Sequence, residues 1–292
     1  MPRTARMKIK GEEAYYHIIS RTVHKQFLLK DREKEKLIDL IKMYQELYFV
    51  NIIGYCIMSN HFHLLIKVST GEELSDKDIQ DRVQRFYGKP LYKIGKTVDY
   101  FRDKLSDVSE YVKQVKQSFS HWYNKRNDLI GTFWAERFKS GLIESGSALL
   151  TVLSYIDLNP VRAGIVAKPE RYRFSSIGYR YQTGNEDKVL TYDGIGLIVD
   201  NNIEESKQTE AYLKMLYSYG ILKYSTNQLK QEESSLNLTK RLRYLSDGIA
   251  IGSKSFIEKM YTLFGGSLLK KKERKVHKTG ITELYSIRKL RE

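Results

Sequence analysis

Apolar and polar positions alternate with several different periods along this chain, and the changes of period mark its elements. Ala14 to Ser20 is an apolar run that predicts a first strand. From Arg32 to Tyr48 the apolar residues Leu37, Ile38, Ile41, Tyr44 and Leu47 recur at helical spacing. Asn51 to Met58 is short, apolar and rich in β-branched residues, Ser59-Asn60 is a polar break, and His61 to Val68 alternates into a second run. Two strands joined by so short a turn are antiparallel, and the alternation puts His61 and His63 on one face with Phe62 and Leu64 on the other. Residues 69–106 turn polar, with Gly71, Gly88, Pro90 and Gly95 as breaks, which predicts an insertion with local helix rather than a plain connection. Ser109 to Arg126 resumes a helical pattern through Val112, Val115, Phe119 and Trp122, Arg137 to Glu144 suits a strand, and Ala148 to Asn159 predicts a helix that Pro160 ends.

Strand, helix, strand, strand, helix, strand, helix is the order of an α+β, ferredoxin-like split βαβ sandwich, an antiparallel sheet with helices packed on it. Beyond Ile165 come a Tyr- and Arg-rich connection, Arg171 to Ser176, and a mainly helical region to Glu292 with basic ends. A chain of 292 residues can bury one substantial core and a smaller second one. The expected division is a domain over 1–180, interrupted at about 69–106, and a mainly helical basic C-terminal region over 181–292.

Composition narrows the class. No apolar run is long enough to span a membrane, and the basic start Met1 to Arg6 leads into Lys8 and Lys10 rather than an apolar stretch, so a cytoplasmic protein without a secretory signal is expected. The single cysteine, Cys56, sits in an apolar run and reads as core, which excludes an intrachain disulfide and any cysteine-based zinc site. Fifty Lys and Arg against 35 Asp and Glu give +15, the footprint of a partner carrying phosphates, although membrane-surface binders and ribosomal factors are basic as well. The 22 tyrosines would supply stacking faces for unpaired bases, or equally form the edges of the core.

Two histidines at i and i+2 on one strand present two imidazoles to one divalent ion. His-x-His also arises by chance as structure. Tyr155 and Asn159, four apart on the last predicted helix, would bring a phenol and an amide oxygen to one side. The competing reading makes Tyr155 a core residue and Asn159 a cap before Pro160.

The segment Gly54-Tyr55-Cys56-Ile57-Met58-Ser59-Asn60-His61-Phe62-His63-Leu64-Leu65-Ile66 resembles the HUH motif of single-tyrosine transposases, with Phe62 as the bulky apolar residue. Gly131 to Ser140, Tyr155 to Gly164 and Tyr172 to Ser176 resemble, in the same order, stretches of the REP-associated tyrosine transposases. The opening Tyr16-His17-Ile18-Ile19-Ser20-Arg21 is similar too, and Asp247 to Ser253 more weakly, so the resemblance spans roughly 14–180. It implies His61, His63 and Asn159 as metal ligands, Tyr155 as nucleophile, Mg2+ or Mn2+ as cofactor, and nicking and joining of single-stranded or hairpin DNA through a 5′-phosphotyrosine. A monomer or homodimer is expected, with no membrane partner. The chain departs from the family in its long insertion and in Phe119, near where many relatives carry a helical tyrosine, which leaves Tyr123 as a rival nucleophile.

Arg137, Lys139, Arg162 and Arg173 lie within these stretches and Arg171 directly before the last, and all five are candidates for phosphate contact, each equally readable as solvated surface charge. The basic run Lys270 to Lys275 is a further candidate. Deleting everything after about Asp200 is expected to leave the chemical site intact. Two other readings stand beside the enzyme: a domesticated protein that binds hairpins without cutting, and a zinc hydrolase that uses water.

Overall fold

In the computed structural model, residues 6–198, 203–219, 244–268, 274–279 and 283–289 are described. The chain runs β1 (Ala14–Arg21), α1 (Asp31–Leu47), β2 (Val50–Ile57), β3 (His61–Val68), α2 (Asp76–Tyr87), α3 (Leu91–Ile94), α4 (Val98–Leu105), α5 (Val108–Asn127), β4 (Lys139–Ile143), α6 (Ser147–Asp157), α7 (Asn159–Arg162), α8 (Ser176–Thr183) and α9 (Glu205–Tyr219). It continues with β5 (Gly248–Gly252), α10 (Lys254–Leu268), β6 (Arg274–Lys278) and β7 (Tyr285–Lys289).

The sheet order is β2-β3-β1-β4-β5-β7-β6. Its first four strands are mutually antiparallel neighbours in the order of the split βαβ sandwich. The insertion holds α2, α3 and α4, and Ser75 and Asp78 form a reciprocal capping box at the start of α2. Among its described residues the C-terminal region supplies α9 and α10. It also adds three strands that extend the sheet, with β5 parallel to β4. Of the basic run, 270–273 lie outside the described residues and Arg274 and Lys275 begin β6.

The two sheet faces carry different cargo. On one, Phe62 meets Trp134 edge-on at 5.5 Å, and Trp134 meets Phe119 of α5, which packs beside α1. On the other lie His61, His63 and Leu65, with α6 crossing above them. A glycine makes that approach possible, because a Cβ on Gly54 of β2 would fall 2.3 Å from the Leu153 side chain of α6.

The predicted helix over Ala148 to Asn159 is two pieces. Strand-facing Leu149, Val152, Leu153 and Ile156 hold α6 down, but the α-helix stops at Asp157, turns through Leu158 (φ −83°, ψ −1°) and restarts as α7. Pro160 has no N–H to offer the preceding turn and its ring crowds that turn's carbonyl. Tyr155 and Asn159 are thus on successive helical pieces, not on one face of one helix.

Candidate functional site

The site is built on β3 and its neighbours. Arg21 of β1 stands directly across from His61, and Ile19 across from His63. Because side chains alternate, His17 and Arg21 share the face of the two β3 histidines. The His61 and His63 ring centroids are 5.1 Å apart, and His17 stacks on His63 at 5.1 Å. Tyr155 reaches down from α6 and presents its ring edge-on to His63 at 5.6 Å and to His17 at 6.2 Å. Arg162 of α7 closes over it, with its guanidinium carbon 4.2 Å from the Tyr155 ring centre and Nη2 donating to the Tyr155 carbonyl at 2.8 Å.

Hydrogen bonds orient the imidazoles. His61 Nδ1 donates to Asn60 Oδ1 at 2.6 Å. His17 Nδ1 donates to the Leu245 carbonyl at 3.0 Å, and His17 Nε2 lies 2.9 Å from His63 Nδ1. Burial pushes all three rings toward the neutral form. His61 falls to about 4 through burial and then the positive charges of Arg21 and Arg162. His17 falls to about 4 through burial, partly opposed by its bond to Leu245. His63 is driven well below the usual range by burial first, then by His61, His17, Arg162 and Arg21. Neutral imidazoles are the form that ligates a metal.

A divalent ion fits part of this donor set. His61 and His63 each have Nδ1 in a hydrogen bond, which leaves Nε2 as the ligating atom, the arrangement usual for metal-bound histidine. Among the described residues no group of three His, Cys, Asp or Glu side chains is placed to hold a metal, so a third protein donor has to be of another kind. An amide such as that of Asn159 has the right chemistry. Asn159 is 9% exposed at the first position of α7, and its side chain makes no hydrogen bond to either imidazole among the described residues.

Of the five basic candidates, only Arg162 stands beside the tyrosine. Lys139 pairs with Asp247 at 3.0 Å, and Arg173 with Glu35 at 2.8 Å and Asp31 at 3.4 Å. Arg137 and Arg171 are exposed on the surface. Tyr123 packs elsewhere: its ring lies 4.6 Å from Phe133 and 6.3 Å from Phe119, on the opposite sheet face from the histidines.

Three residues were missed as parts of the site. His17 and Arg21 belong to the quoted Tyr16-to-Arg21 stretch, and their spacing of four on a strand was the available signal. The third, Asp157, is 1% exposed and ties α6 down. Its Oδ1 accepts from Ser176 Oγ at 2.7 Å and the Ile177 N–H at 3.1 Å, and its Oδ2 from the Tyr212 hydroxyl at 3.0 Å. Burial raises its carboxyl to about 6 against the opposing pull of these donors and Arg180.

The C-terminal region therefore reaches the site. Leu245 holds His17 and Tyr212 holds Asp157, so removal of the chain after about Asp200 would take away two supports, contrary to the sequence expectation.

No curated protein matches the chain. Among solved structures, the REP-associated tyrosine transposase bound to a REP hairpin is similar at 17% identity with a TM-score of 0.43, covering 66% of this chain and 90% of that one. Residues 10–102 match the family described as transposase IS200 like, a range that ends before Tyr155 and Asn159. The part of the chain that carries β1, the His61–His63 strand and most of the helical insertion is thus similar to the IS200-like transposases.

Proposed function

We propose that this protein nicks and rejoins single-stranded DNA at hairpin-associated sites through a covalent link to Tyr155. The observation that carries this reading is the edge-on approach of the Tyr155 ring to His63, at 5.6 Å, under the Arg162 guanidinium. A phenol set against the neutral rings of His63 and His17 and under one guanidinium suits attack on a phosphodiester. The IS200-like match over 10–102 supports DNA as the substrate, as does the charge of +15. The hairpin association rests on the sequence resemblance to REP-associated enzymes.

His61, His63 and Asn159 would hold a divalent ion, Mg2+ by its affinity for phosphate oxygens or Mn2+ by its tolerance of imidazole. When bound it would polarise the scissile phosphate as a Lewis acid. The Tyr155 hydroxyl gives up its proton to solvent and its oxygen attacks phosphorus. The new phosphorus–tyrosine bond forms as the bond to the 3′ oxygen breaks, and that oxygen leaves as a hydroxyl after taking a proton. Strand joining is the reverse, with a 3′ hydroxyl displacing Tyr155. One phosphoester replaces another at each step, so no nucleotide hydrolysis is required. Arg162 holds the tyrosine ring and Arg21, opposite His61, offers a second positive charge to the phosphate.

The test uses a single-stranded oligonucleotide with a hairpin, labelled at its 3′ end and incubated with Mn2+. The wild type is expected to give a labelled protein band on a denaturing gel, and Tyr155→Phe none. Cleavage without a covalent band would favour the water-using hydrolase, and binding without cleavage the domesticated hairpin binder; either result contradicts the proposal.

A further inference from the structure

A histidine ligates a metal only through a nitrogen that carries no proton, and at His63 the surroundings decide which nitrogen that is. The chain of contacts starts at the Leu245 carbonyl, which can only accept, so the proton of the 3.0 Å bond lies on His17 Nδ1. With its one proton so engaged, the uncharged His17 ring presents Nε2 as a bare acceptor. The 2.9 Å contact between His17 Nε2 and His63 Nδ1 needs one donor, and only His63 can supply it. A neutral His63 has a single N–H, now engaged, so its Nε2 carries a lone pair.

We infer that His17 is a positioning residue which, with the Leu245 carbonyl, holds His63 in the Nδ1–H tautomer and keeps its Nε2 free for a divalent cation. The reverse arrangement would face two lone pairs across 2.9 Å in a buried site. His61 is set the same way by Asn60, so both β3 imidazoles engage Nδ1 and leave Nε2. The difference lies in the source. The partner of His61 is its sequence neighbour, whereas that of His63 is reached through β1 from a backbone carbonyl 228 residues away from His17.

Glycine makes the long reach possible. Gly141 of β4 pairs with His17, and a Cβ there would sit 2.6 Å from the Gly248 carbonyl oxygen. The helical turn at 244–247 leads straight into Gly248 and presents the Leu245 carbonyl to His17. The C-terminal region thereby contributes to ligand preparation without supplying a ligand.

This inference rests on the metal site proposed above, and two readouts separate their failures. Long-range 15N–1H correlation spectra of histidine-labelled, metal-free protein report the proton position on His63, and Mn2+ titration followed by electron paramagnetic resonance reports affinity. The expected result is an Nδ1–H tautomer at His63. In His17→Leu, which fills the space without an acceptor, Mn2+ affinity should drop roughly 10- to 100-fold. His17→Gln, whose amide can donate to Leu245 and accept from His63, should restore affinity to within about threefold of wild type. An Nε2–H tautomer in the wild type, or His17→Leu binding Mn2+ as tightly as wild type, would overturn the inference. Should His17→Leu fail to fold, the wild-type spectrum alone still decides it. No Mn2+ binding by wild type with His63 in the Nδ1–H form would uphold the tautomer and overturn the metal site.

Discussion

Asp157 offers a prediction whose size follows from its surroundings. The carboxyl is two residues from Tyr155, buried, and raised from its ordinary 3.8 to about 6. A folded-state value above the unfolded one means that the native protein binds a proton more readily than the unfolded chain. Stability from this group is full below pH 3.8 and is lost as pH rises through about 6. A rise of about two pH units, at about 1.4 kcal/mol each, makes the loss about 3 kcal/mol at neutral pH. Asp157→Asn keeps an oxygen for Ser176 and Ile177, turns an amide toward a Tyr212 hydroxyl that can rotate to accept, and carries no charge at any pH. Urea unfolding of both proteins at pH 4 and pH 7 should show the variant gaining about 2 kcal/mol relative to wild type as pH rises, because a small part of the loss has already occurred at pH 4. A difference independent of pH would refute the reasoning. A shift in the opposite sense would mean that the three donors hold the carboxylate ionised and outweigh burial.

Arg162→Ala removes the cover of the Tyr155 ring and one bond to its backbone, so single-turnover adduct formation should slow by about 10- to 100-fold with DNA affinity within a few fold; an unchanged rate would show that α7 does not orient the tyrosine. Chelation should abolish nicking and added Mn2+ restore it in the wild type but not in His61→Ala or His63→Ala, as an oligonucleotide cleavage assay would read; nicking that survives chelation would remove the metal from the account. Binding to a single-stranded hairpin substrate, measured by anisotropy, should weaken with salt at a log–log slope of about −2 or steeper if three or more phosphates are contacted; a flat profile would contradict a phosphate-dominated interface.

The sequence displayed some parts of this site and hid others for physical reasons. A strand period of two is local, so the common face of His61 and His63 and the hairpin carrying them could be read directly from the residues. The break at Leu158 was half visible: Pro160 announced an end, but its place at the start of α7 depends on how the chain turns afterwards. The role of His17 was not visible, because it depends on the β1–β3 register and on a carbonyl supplied from residue 245. Strands β5, β6 and β7 are five residues each, too short for a period to declare itself, and they exist through pairing with β4 and with one another. Arg173 and Lys139 stood within resembling stretches, yet each found an acidic neighbour that only the fold supplies.

The central claim, that Tyr155 is the nucleophile, is tested most directly by locating the covalent bond. Tryptic digestion releases Ser140 to Arg162, in which Tyr155 is the only tyrosine, and separately Gln117 to Lys125, which holds Tyr123. After reaction with oligonucleotide and nuclease trimming, mass spectrometry should find the nucleotide adduct on the Ser140-to-Arg162 peptide, at Tyr155. An adduct on the Gln117-to-Lys125 peptide, or none on either while cleavage proceeds, would contradict the account.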